Sequence, residues 1–121
     1  AIGTETDHVA PWKSVYKINL LADSQEVSFL LTSGGHNAGI VSEPGHPGRS
    51  YRLASRTEDE PYVDPQTWYE STARNEGSWW PAWQQWLSDH SSARTTPAAM
   101  GAPDAGYAIL EDAPGSYIHQ S

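Results

Sequence analysis

The stretch Phe29-Leu30-Leu31-Thr32-Ser33-Gly34-Gly35-His36-Asn37-Ala38-Gly39-Ile40-Val41 decides the reading of this 121-residue chain. Its first half continues an apolar run, Val27-Ser28-Phe29-Leu30-Leu31, of the kind expected for a strand buried on both faces of a parallel sheet. Periodicity alone leaves a buried helix open, but the length and the β-branched and aromatic content favour a strand over residues 26–32. The run stops at Ser33-Gly34-Gly35, where two glycines can take positive φ and turn the chain sharply. His36 is then expected just past the carboxyl end of a strand, the edge at which open α/β sheets bind ligands. Asn37 to Val41 is expected as a short helical turn beneath it.

A lone histidine in a glycine-rich turn is by default an ordinary loop residue. What precedes it changes the reading. Asp7, in Thr6-Asp7-His8-Val9, lies 29 residues earlier, just before a helix expected to begin at Pro11, where a missing N–H costs nothing. Trp12, Val15, Tyr16 and Leu20 then recur at intervals of three and four, with Lys13, Lys17 and Asn19 on the other face, and the helix should end near Ala22-Asp23. Residues 2–6 would be the tail of a preceding strand. An Asp loop, a crossover helix, a buried strand and a His loop bring both side chains to one sheet edge, in the order in which a nucleophile-Asp-His triad ends.

Composition sets limits. A net charge of −8 and seven basic residues argue against a nucleic-acid surface, which is built from clustered Lys and Arg. With no cysteine the chain has neither a disulfide framework nor a thiolate metal site, and no His, Asp or Glu spacing resembles a zinc or calcium signature. No apolar run approaches bilayer length and no signal-peptide pattern opens the chain. Only 37% of residues are hydrophobic, and eleven of the seventeen Val, Ile and Leu residues fall before residue 42. We therefore expect an incomplete domain, with Ala1 read as a truncation point and Trp and Tyr substituting for aliphatic core beyond residue 41.

Residues 42–63 are rich in Gly, Pro, Ser and charge and read as a surface excursion, with Arg49, Arg52, Arg56 and the acidic Glu58-Asp59-Glu60 as solvated loop residues and His46 exposed. Asp64-Pro65 then predicts a helix start, with Asp as N-cap and Pro at the first position, running to about Asn75. Gly77 breaks it, and Ser78 caps a second helix carrying Trp79, Trp80, Trp83, Trp86 and Leu87. Such a stripe is most simply core, each Trp burying ~150–250 Å²; exposed, it would mark a partner surface. Residues 91–106 should be an irregular link, Tyr107 to Glu111 a short strand or extended segment, and Asp112 to Ser121 a closing turn.

Four motifs in order, Asp7-His8-Val9-Ala10-Pro11-Trp12, Ser33-Gly34-Gly35-His36-Asn37-Ala38-Gly39-Ile40-Val41, Gly77-Ser78-Trp79-Trp80-Pro81-Ala82-Trp83 and Ala113-Pro114-Gly115-Ser116-Tyr117-Ile118, resemble the C-terminal part of a poly(3-hydroxyalkanoate) synthase. The Gly-His-x-Ala-Gly and Gly-Ser-Trp-Trp elements are the specific ones. The resemblance implies the end of an α/β-hydrolase fold at residues 1–41, the excursion at 42–63 and a Trp-rich helical and extended tail at 64–121. It implies an acyltransferase that polymerises 3-hydroxyacyl groups from coenzyme A thioesters and releases coenzyme A, without a cofactor. In that scheme His36 is the base and Asp7 its partner, with the cysteine nucleophile upstream of residue 1. His8 and Asn37 would lie beside them in supporting or substrate-proximal positions. The implied partners are the missing N-terminal part of the domain, the growing polyester and a second copy in a homodimer, in the cytoplasm at the surface of polyester granules. Alternatives are a thioesterase on the same scaffold and an aromatic-rich binding or self-association module.

Overall fold

A computed structural model describes residues 1–120, so Ser121, the last residue of the expected closing turn, lies outside the described residues. The chain divides into two units, Ala1–Ser91 and Ser92–Ser121. In the first, β1 (Ile2–Thr4) leads through α1 (Trp12–Val15) and α2 (Ile18–Leu21) to β2 (Glu26–Thr32). β3 (Ser50–Thr57), α3 (Pro65–Ser71), β4 (Arg74–Glu76) and α4 (Trp80–Asp89) follow. The four strands form one sheet in the order β1-β2-β3-β4.

The expected strand over residues 26–32 forms, and β1 pairs with it in parallel, Thr4 opposite Thr32. The parallel sheet goes no further. β3 pairs antiparallel with β2 over seven residues, and β4 pairs antiparallel with β3. Residues 42–63 are therefore not all surface excursion, because the longest strand lies within them. Its sequence hides it, since two of its side chains are arginines on the covered face. Arg52, Ala54 and Arg56 stand in register with Leu31, Phe29 and Val27. The Arg52 guanidinium lies 4.4 Å from the Tyr69 ring centroid and donates to the Thr72 carbonyl, and Arg56 donates to the carbonyls of Asn19 and Glu60. Such long stems bury methylenes while their heads satisfy backbone oxygens; neither arginine is the solvated loop residue expected.

The crossover helix is broken into two short turns. Asn19, expected on the polar face, is buried, and Leu20, expected inward, is exposed. Asn19 Nδ2 donates to the Tyr16 carbonyl, the acceptor an unbroken helix would offer to Leu20, whose N–H turns back to Lys17 instead. Tyr16 itself is drawn into the core, where its hydroxyl donates to the Val63 carbonyl at 3.0 Å. With Phe29, Leu31 and Trp68 it forms the buried cluster between the sheet and α1, α2 and α3, with edge-on ring pairs of 4.9 Å (Tyr16–Phe29) and 5.1 Å (Phe29–Trp68).

α3 starts as expected, Asp64 Oδ1 accepting from the N–H groups of Gln66 and Thr67, but ends at Ser71, short of Asn75, where the chain turns to form β4. On the other sheet face Ile2, Leu30 and Leu53 form one row. That row and Trp79, Trp83 and Trp86 border an open groove of about 690 Å³. The tryptophan stripe is thus divided: Trp79 is buried, Trp80 half-buried, and Trp83 and Trp86 are 45% and 44% exposed. The second unit, taken by itself, has 3₁₀ turns at Pro103–Ala105 and Ser116–His119. Tyr107 there makes a single bridge to Ala102 in place of the short strand.

Candidate functional site

Both loops that leave the carboxyl ends of β1 and β2 are sewn together by backbone. Glu5 N–H donates to the Thr32 carbonyl at 2.9 Å and Thr6 N–H to the Gly34 carbonyl at 3.0 Å. Gly34 alone of the glycine pair takes positive φ (101°), and its partner Gly35 keeps an ordinary φ. The reversal delivers His36 toward the β1 loop, and the next turn closes with Gly39 N–H donating to the Gly35 carbonyl.

Asp7 and His36 meet at 2.8 Å, Oδ2 against Nδ1. The carboxylate is saturated. Oδ1 accepts from the N–H groups of Val9 (2.9 Å) and Ala10 (2.8 Å), and Oδ2 also accepts from the Thr4 hydroxyl at 3.1 Å. These donors, the Ala10 N–H first, then the His36 ring, Val9 and Thr4, hold the carboxyl far below the usual carboxylate range against the opposing effect of desolvation. Asp7 is therefore ionised and accepts only. That assigns the proton of the neutral ring to Nδ1 and leaves Nε2 as the basic nitrogen. The Asp7 side chain is 6% exposed and that of His36 50%, a sheltered acid beneath an accessible base. Such a pair can take a proton from a nucleophile or hydroxyl at Nε2 while the carboxylate fixes the tautomer and offsets the imidazolium charge.

His8 and Asn37 are exposed, and among the described residues neither side chain bonds to Asp7 or His36. The Asn37 carbonyl accepts from Ile40 and Val41, closing the expected helical turn. Thr4 was missed by the sequence reading. Its signal is faint: a hydroxyl residue three positions before an aspartate at a strand's end. It is 2% exposed. Its methyl lies so close to Gly39 that a Cβ on that glycine would fall 2.6 Å from Thr4 Cγ2. His46, expected exposed, is half-buried and pairs with Glu43 at 2.9 Å. His90 stacks on Trp86 with centroids 4.1 Å apart, and Nδ1 lies 2.8 Å from the Trp86 carbonyl. Among the described residues no group of three or more His, Asp or Glu could hold a metal, and no helix is long and apolar enough to cross a membrane.

No protein-family model matches the sequence. It is 35% identical over 118 residues to poly(3-hydroxyalkanoate) polymerase 2 of Ectopseudomonas oleovorans, a match covering 97% of this chain and 20% of that protein. It is 35% identical over 117 residues to the poly(3-hydroxyalkanoate) polymerase subunit PhaC of Cupriavidus necator, covering 96% of this chain and 19% of that protein. The PhaC subunit of Rhizobium etli is 36% identical over 117 residues, covering 97% and 17%. The chain thus spans about a fifth of the length of the curated relatives it matches.

Proposed function

Since this chain belongs to the poly(3-hydroxyalkanoate) polymerase family over the stretch that it spans, we propose that it carries the general base of an acyl transfer from coenzyme A thioesters to a growing polyester. The observation that carries the reading is the 2.8 Å contact between Asp7 and His36 across 29 residues. The sequence has no cysteine, so the nucleophile comes from the part of a complete polymerase that this chain does not span. The scaffold in this reading is that of an α/β-hydrolase, and the segment is its C-terminal part.

His36 Nε2 first takes the thiol proton. The thiolate attacks the thioester carbonyl, the carbon–sulfur bond to coenzyme A breaks, and the departing thiolate receives the proton. A free cysteine near pH 7 is only a few per cent thiolate, so a neighbouring base raises the reactive fraction. In the second half the same nitrogen takes the proton of a 3-hydroxyl group, whose oxygen attacks the acyl-enzyme carbonyl; the carbon–sulfur bond to the cysteine breaks, its sulfur regains the proton from Nε2, and the ester chain is longer by one unit. Asp7, held ionised by its four donors, keeps Nε2 basic in both halves. The assembled enzyme works as a dimer at the granule surface in the cytoplasm, and this chain alone is inactive. The names of the relatives favour transfer to a hydroxyl over a thioesterase that passes the acyl group to water. Burial of Trp79 weighs against a stacking module built on the tryptophans.

In a complete polymerase carrying this segment, His36→Ala should lower coenzyme A release by ~10²–10⁴-fold. Asp7→Asn, which favours the wrong tautomer, should lose up to ~10⁴-fold. Turnover near the unsubstituted rate in either variant overturns the reading, as does coenzyme A release by the pure chain.

A further inference from the structure

The Gly77-Ser78-Trp79-Trp80 motif has no part in the acyl transfer described above, yet it meets the histidine turn at successive points. The turn over residues 35–41 ends as helical turns do, with carbonyls that no later backbone N–H takes. Two of these, on Gly39 and Ile40, accept side-chain donors from 40 residues away: Trp79 Nε1 reaches the Gly39 oxygen at 3.1 Å and Trp80 Nε1 the Ile40 oxygen at 2.9 Å. The Ser78 hydroxyl donates to the Ser42 carbonyl, and the Gly77 N–H to the Arg49 carbonyl at 2.7 Å. Below, the Thr32 hydroxyl shares the Gly39 oxygen at 3.3 Å. On its other side Gly39 packs against Thr4, whose hydroxyl is one of the four donors to Asp7. The buried indole of Trp79 must place its N–H somewhere, and the histidine turn is where it goes. α4 therefore begins with two side chains that cap another segment's turn.

We propose that Trp79 and Trp80 are positioning residues for His36: their indole N–H groups fix the turn that presents the imidazole to Asp7. Through them the tail that follows β4 sets the geometry of the base. This assignment rests on the reading of His36 as the base only for its functional meaning, because the ordering of the ring is measurable without turnover.

The test uses the 121-residue chain with ¹⁵N-labelled histidine. Replacing Trp80, and separately Trp79, by β-(3-benzothienyl)alanine exchanges the N–H for sulfur with the ring shape kept, so packing is retained. Trp80→Phe is the genetically encoded counterpart. The expected result is faster solvent exchange of the His36 Nδ1 proton, by roughly fivefold for the loss of one hydrogen bond of ordinary net strength, and a neutral ring that no longer holds a single tautomer. Amide signals of the β2–β3 ladder should stay in place, and Trp83→Phe, on the exposed part of the same helix, should leave the His36 signals unchanged. His36 signals in both isosteric variants identical to those of the unsubstituted chain would overturn the proposal. If polymerisation instead survives His36→Ala, the catalytic reading fails while the ring-ordering result stands by itself.

Discussion

Thr4 shows how much of the Asp7–His36 pair depends on a residue that carries no titratable group of its own. Its hydroxyl gives Asp7 Oδ2 a donor beside the imidazole, and its methyl fills the space that the missing Cβ of Gly39 leaves. Thr4→Val keeps the shape and removes the donor. The Asp7 carboxyl, held low first by the Ala10 N–H and in part by Thr4, should then titrate nearer its ordinary range, whereas Thr4→Ser should keep it low. Carboxyl ¹³C shifts followed against pH read this directly; an unchanged Asp7 titration in Thr4→Val would remove Thr4 from the site. Asp7 and His36 were legible from their motifs because each sits at a strand end defined by local sequence. Thr4 was not, since a threonine ending a strand is ordinary until the fold puts a carboxylate beside it.

Among the elements, β2 and the start of α3, which have local signals, came out where the sequence put them, whereas α3 ends four residues early. β2 follows from an unbroken apolar run, and α3 from an N-cap whose acceptor and donors lie within three residues. α1 and α2 departed from a sound helical periodicity because a buried Asn19 side chain took a carbonyl the helix needed. β3 was hidden because its covered face carries Arg52 and Arg56, which become core-covering residues only once Tyr69, Thr72 and Asn19 stand opposite. α3 is held to the sheet chiefly by Trp68, packed on Tyr16 and Phe29. Trp68→Ala should cost ~3–5 kcal/mol of folding stability, read from the denaturant midpoint. A change below ~1 kcal/mol would mean that α3 does not share the core's cooperativity.

At the scale of the molecule, acid should be the sensitive variable. Asp7 is held below its ordinary value first by the Ala10 N–H, Glu43 by its bond to His46, and Asp64 by the Thr67 side chain. Folded values depressed in this way give stability that is complete above the unfolded values, near 3.8 for Asp and 4.5 for Glu, and is lost as pH falls through the folded ones. The thermal midpoint should therefore fall as pH drops below about 4. Asp64→Asn, which keeps an acceptor at the start of α3, should flatten part of that slope. A midpoint independent of pH between 5 and 2 would contradict it. The first unit also has one sheet face sealed by aromatic rings and another that carries an open groove beside Trp83 and Trp86, in a chain spanning a fifth of its relatives' length.

The sequence by itself determined the strand that leads into the histidine turn, the capped start of α3, the acidic balance that argues against a nucleic-acid surface, and the kinship carried by its motifs. Each depends on interactions within a few residues or on composition, which a linear string contains in full. Only the tertiary structure decided that Asp7 and His36 touch, that Thr4 braces them, that Arg52 and Arg56 line a strand, and that two indole N–H groups hold the histidine turn. Those contacts join residues up to 40 positions apart. A donor and an acceptor so separated leave no mark on their neighbours in sequence, and their pairing is fixed only when the packed core removes water as the alternative partner.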